Sequence, residues 1–266
     1  MKLRIVVFIF FLFYRQILFA DSLSVVKKID IAILFFTTDH LGNSYLVNEN
    51  GLFKYDKDGN LTASFTAKIF GQIQFIDATD PLKVLVFNKD FALVNTLDSK
   101  LSIQTQFNLR DLPVQQPALI CTSRHDGYWV FDKQTNQLKK YNSSLQLMFE
   151  SNDISQLIAA EINPVFLIES EKWLWLNNPS SGILVFDSYG TYLKTLDKSD
   201  TYSVNDFQAD DDRIVFSEGN SIREINHTKL LSKEITYPHV GDVIKMRIEQ
   251  NRLYIQKKDV FEIYAF

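Results

Sequence analysis

Short β-prone runs closed by a polar residue recur along this chain about every 41 positions. They read YLV before Asn48, LVF before Asn88, WVF before Asp132, LWL before Asn177, IVF before Ser217 and LYI before Gln256. The intervals between those polar ends are 40, 44, 45, 40 and 39. A second polar marker follows each run: Asp56, Asn95, Asn142, Asp187 and Asn226, each read as closing another strand and opening a tight turn. Asn and Asp do this because their side chains bond nearby backbone and tolerate left-handed geometry. A further run follows the marker, as in LTASF (61–65), LQLMF (145–149) and YLKTL (192–196). Another precedes each repeat: ILFF (33–36), IQFI (73–76), ALIC (118–121), VFLI (165–168), VNDF (204–207) and IKMRI (244–248).

Four short strands per repeat, separated by turn signals, describe a propeller blade. Residues 21–266 divided over six repeats allow 41 each. The sequence therefore predicts an all-β chain: a six-bladed β-propeller of four-stranded antiparallel blades over residues 21–266. The sixth repeat ends at Phe266, before its fourth strand, while LSVVKKI (23–29) is a spare strand ahead of the first repeat. The N-terminal strand is expected to complete the last blade and close the ring. One helical connector is expected, DISQLIAAE (153–161).

The stretches GNSYLVNENGLFKYDKDGNLTASF (42–65) and SGILVFDSYGTYLKTL (181–196) resemble NHL-type repeats. That resemblance implies a six-bladed propeller. It implies no particular activity, since such propellers serve binding and enzymatic roles alike. Repeats two (KVLVFNKDFALVNTL) and five (RIVFSEGNSIREIN) depart from its hairpin pattern.

Residues 1–20 join a positive start, Lys2 and Arg4, to an apolar run from Ile5 to Tyr14, and end on Ala20. Such a run is too short to span a bilayer and suits a secretory signal peptide. Export to a periplasmic or extracellular compartment is expected, with no transmembrane segment after cleavage. Without Lys2, Arg4 and Arg15 the formal charge falls from -4 to -7. An acidic chain lacks the basic footprint of a nucleic-acid binder. The single Cys, Cys121, excludes a disulfide framework and a Cys-ligated zinc site.

Few residues in the chain fall into a pattern that carries chemistry. His40, His125, His227 and His239 form no HxH or HExxH pattern. Arg124-His125-Asp126 and Asp210-Asp211-Asp212 fall in turns between first and second strands. Asp56–Asn60 has the wrong spacing for a calcium loop. Trp129, Trp173 and Trp175 are expected to pack between blades. No nucleotide-binding or hydrolase motif occurs. No catalytic residue, metal ligand or cofactor is assigned.

The reading is a monomeric, non-catalytic, exported module that binds a protein or a polar ligand. The candidate face carries the turns between second and third strands and the long connectors 108–117 and 150–164. Its candidate residues are Asn48, Asn88, Asp132, Asn177, Asn178, Ser155 and Gln156. The alternative is a divalent-cation-dependent, hydrolase- or lactonase-like propeller using axial carboxylates from Asp77, Glu169, Asp206 and Glu249.

Overall fold

The computed structural model describes residues 23–66, 71–201, 204–229, 231–237 and 241–266. Residues 1–20 and His239 lie outside them. The described residues form six four-stranded antiparallel sheets arranged as a six-bladed propeller. Blade 1 takes residues 35–65, blade 2 75–108, blade 3 117–150, blade 4 166–197, blade 5 208–236, and blade 6 245–265 plus Ser24–Asp30.

The apolar runs of the second strands follow from burial on both sheet faces. In Val84–Asn88 every residue is buried. Successive side chains point to opposite faces. Val84 and Val86 accordingly join Tyr45, Val47 and Leu52 of blade 1. Leu85 and Phe87 instead join Tyr128, Val130 and Tyr141 of blade 3. The same alternation builds a cluster at each blade junction around to Phe36 and Leu46 against Tyr254, Phe261 and Ile263, where blade 6 meets blade 1. Trp129 and Trp175 are both fully buried in this inter-blade packing.

The N-terminal strand Ser24–Asp30 pairs antiparallel with Val260–Ala265, as the spare-strand reading expects. Side chains then lock the seam. Gln256 Nε2 donates to Ile33 O at 3.0 Å, and Tyr254 OH donates to Gly42 O at 2.6 Å.

Three local expectations are corrected. Asn95 does not close a strand: it lies buried within Leu93–Leu97, and Asp98 makes the turn by accepting from Lys100 N and Ser102 N. The first strand of blade 5 is Gln208–Ala209, not 204–207. The connector 153–161 holds one 3₁₀ turn, Ile154–Gln156, rather than an α-helix. Ile154 and Ile162 are buried and Ile158 packs against the same cluster, while Leu157 is exposed; a segment this short has little intrinsic helical stability, and these contacts hold it without a helix. Among the described residues, α-helix is confined to Lys198–Thr201, and no helix is long and apolar enough to cross a membrane.

Gly182 shows why a glycine follows the turn into a third strand. Its φ is +116°, and a Cβ there would stand 2.0 Å from Leu196 O on the paired outermost strand. Gly182→Ala is expected to destabilise the protein by about 3 kcal/mol. Thermal melting checks this: a drop of roughly 6–12 °C is expected, and an unchanged midpoint would refute it.

Candidate functional site

The first strands surround a cavity of about 460 Å³ on the axis, open on the face that carries the long connectors. Its mouth is built from one repeated backbone station. Leu34, Gln74, Val165 and Ile244 each precede a first strand, and each donates its N–H to the second strand, to Val47, Phe87, Asn177 and Gln256 respectively. The side chains at that station line the cavity, giving an aliphatic rim from Leu34, Val165 and Ile244. These three are 51%, 42% and 61% exposed. Exposed aliphatic groups converging on a concave site are the usual mark of recognition rather than of packing.

Below the rim lies a charge cluster. The strand Lys245–Glu249 places Lys245, Arg247 and Glu249 two residues apart, hence on one face. Lys245 Nζ donates to Phe36 O at 2.9 Å and pairs with Asp206 Oδ2. Arg247 Nε donates to Thr38 Oγ1 at 3.2 Å, and its Nη1 stands 3.7 Å from the same Asp206 oxygen. Burial pushes the Asp206 carboxyl upward, but the neighbouring Lys245 and Arg247 charges outweigh it and hold the group below its ordinary range. Burial lowers the Lys245 ammonium, which Asp206 only partly offsets, and lowers the Arg247 guanidinium as well. Burial also raises the Glu249 carboxyl, which lies toward the other mouth and accepts from Gln208 Nε2 at 3.3 Å.

Lys245 and Arg247 are absent from the sequence-derived candidates. The signal was present: K-x-R-x-E (245–249) alternates charges along a first strand, where the other blades show FFTT, FID, PALICT, FLIE and QA.

Most of the candidates chosen from sequence are engaged inside the fold. Asn88 Nδ2 donates to Gly71 O and Gln72 O. Asp132 accepts from Gln115 N and Gln116 N, both at 2.9 Å, and from Lys139 Nζ at 3.0 Å. Asn177 Nδ2 donates to Val204 O and Asn205 O of the next connector, while Asn178 bonds Asn163 N and Glu161 O of its own. All four are buried. They latch the connectors to the second strands. Asn48, half-buried, accepts from Asn50 N within its turn. Ser155 and Gln156 are exposed on the connector, where Ser155 N and Oγ both bond Asp153 Oδ1.

The axial carboxylates are individually committed. Asp77 accepts from the N and Oγ of both Thr79 and Thr122. Glu169 accepts from Arg124 N and Trp129 Nε1. Among the described residues no group of three or more His, Cys, Asp or Glu is placed to hold a metal ion. At the opposite mouth, about 540 Å³, Arg124 pairs with Glu171 at 3.3 Å and Arg213 with Asp210 at 2.7 Å, Asp211 pairs with the neighbouring Lys172 at 2.9 Å, and Asp212 and Glu249 line it without an ion-pair partner among the described residues. His227 is buried beside Trp173 and Trp175, with Nε2 2.8 Å from Asp211 O. Cys121 is buried, and burial pushes its thiol well above the ordinary range, which makes it a poor nucleophile.

No family model matches the chain, and no curated protein matches it. Solved structures do. A streptogramin B lyase is 14% identical over 88% of this chain and 78% of its own, with a TM-score of 0.55. The virginiamycin B lyase of Staphylococcus aureus is 15% identical over 90% and 88%, TM-score 0.54. The WD40 β-propeller domain of Doa1 is 11% identical over 92% and 97%, TM-score 0.54. The chain has the β-propeller fold. At these identities the likeness carries the fold alone, because propellers of one shape host unrelated functions.

Proposed function

We propose that this protein is a non-catalytic, monomeric binding module, exported to a periplasmic or extracellular compartment, which takes a protein or polar ligand at the axial mouth on its connector face. The aliphatic rim of Leu34, Val165 and Ile244 over a charged cavity carries this reading. Apolar surface at a concave mouth gains free energy when a partner covers it, by about 25 cal/mol per Å². The opposite mouth is lined mainly by charged and polar side chains and carries no comparable aliphatic rim. Commitment of Asp77 and Glu169 to backbone and side-chain donors of neighbouring strands supports a structural role for the axial carboxylates. Export is supported by the positive start and apolar run of residues 1–20.

The test is site-specific photo-crosslinking in the native host. A crosslinkable residue at Ile244 is expected to capture a partner, and one at His125, on the opposite face, is not. Capture at His125 alone would place binding on the wrong face. N-terminal sequencing of protein recovered outside the cytoplasm checks export: a start near Asp21 is expected, and an intact Met1 in cytoplasmic protein would refute it.

A further inference from the structure

The axial cavity is unevenly supplied with hydrogen-bond donors. On the wall shared by blades 5, 6 and 1, two cations lean on a single carboxylate oxygen, Asp206 Oδ2. Arg247 uses Nε on Thr38 and aims Nη1 at Asp206 from 3.7 Å, so among the described residues its Nη2 has no acceptor. A guanidinium presents its donors in a planar fork that matches a carboxylate. The other carboxylates do not fill this place. Asp77 is saturated by its threonine donors, and Glu249, though near enough to act on the Arg247 charge, makes its hydrogen bond to Gln208 toward the opposite mouth and none to Arg247. Directly outside the cluster stand the aliphatic side chains of Leu34, Val165 and Ile244, with Phe75 and Phe166 lining the cavity wall. A hydrated dianion such as phosphate has no use for that rim. A cavity of about 460 Å³ is within the usual range for a small organic ligand.

We propose that the axial cavity binds a carboxylate carried on an apolar body, its oxygens meeting the free face of Arg247 and its hydrocarbon covering Leu34, Val165 and Ile244. The carboxylate is that of a free aliphatic acid or of a polypeptide C-terminus ending in an apolar residue. This rests on the connector-face reading above and deepens it.

Isothermal titration calorimetry of the purified protein tests it, with octanoate, octanamide, inorganic phosphate, and a tetrapeptide ending in leucine with a free or an amidated C-terminus. Octanoate or the free-acid peptide is expected to bind at least about tenfold more tightly than its neutral amide, the gain from a charge-assisted hydrogen bond. Tighter binding by octanoate assigns the ligand as a free acid; tighter binding by the peptide assigns it as a C-terminus. Arg247→Gln is expected to remove that preference. Asp206→Asn, which removes the competing internal carboxylate, is expected to tighten binding, a direction that simple loss of folding does not produce. Ile244→Ser alters an exposed side chain and is expected to weaken binding severalfold without changing the melting temperature. Equal binding of acid and amide, no binding of either, phosphate binding as tightly as octanoate, or an acid preference that survives in folded Arg247→Gln protein would overturn the proposal. Should photo-crosslinking at Ile244 persist when the acids fail, the connector-face reading stands and only the ligand class falls.

Discussion

A chain that begins at Ala32 is expected to melt roughly 10–20 °C below the intact protein, or to aggregate on purification. Ser24–Asp30 contributes six registered pairs to Val260–Ala265, from Ser24 opposite Ala265 to Asp30 opposite Val260. Val26, Ile29 and Ile31 also pack against the seam cluster of Phe36, Leu46, Tyr254, Phe261 and Ile263. Lost backbone hydrogen bonds and lost apolar cover together amount to about 3–6 kcal/mol. That is a large part of the 5–15 kcal/mol or so that holds a typical domain together. The strand's removal also bares the edge of Val260–Ala265, a template for pairing with a second chain. The buried Glu262 loses Lys28, 2.9 Å away, but keeps Lys257. Lys28→Ala separates the two effects. Lys28 is mostly exposed, so that substitution is expected to move the midpoint by only a few degrees. Equal melting temperatures for the intact and shortened chains would show that the N-terminal strand does not close the ring.

Asp132→Ala is expected to cost about 3–5 kcal/mol, the penalty for removing one partner of a buried ion pair. Asp132 is fully buried, and its loss strands Gln115 N, Gln116 N and the nearly buried Lys139 ammonium. Lys139 would retain Pro113 O and the more exposed Glu150 at 3.4 Å. Burial alone would raise the Asp132 carboxyl. The Gln115 and Gln116 N–H groups, followed by Lys139, outweigh burial and hold it below the ordinary carboxylate value. A group depressed in the folded state stabilises above its unfolded value, and that contribution disappears as pH falls through the folded one. The melting gap between wild type and Asp132→Ala is thus expected to be full at neutral pH and to narrow below about pH 4. Replacing both partners, Asp132→Leu with Lys139→Met, is expected to recover part of the loss, since it leaves no unpaired buried charge. A gap that is absent at neutral pH, or that widens in acid, would refute the latch.

These expectations locate what was legible in the sequence. The blade count, the strand order and the closing strand all follow from local features. A strand buried on both faces must be apolar at successive positions, as in Val84–Asn88, whatever its neighbours are. A turn residue such as Asp56 or Asp187 acts within its own loop, accepting from N–H groups two and four residues on. Where two such residues fall close together the signal blurs: Asn95 reads as the turn residue that Asp98 is, because both stand near the end of one apolar run.

The site is decided by distances that run across blades. Asn88, Asp132, Asn177 and Asn178 have the composition of a polar rim, yet their partners lie 15 to 28 residues away in connectors whose path no local pattern specifies. Lys245 and Asp206 are 39 residues apart, and Lys245 and Phe36 are 209 apart. Period and alternation determine which residues form strands and which face of a blade each side chain takes, because those depend only on backbone geometry. Whether a polar group ends as a latch or faces the axis depends on which donors and acceptors the closed ring sets beside it, and only the tertiary structure decides that.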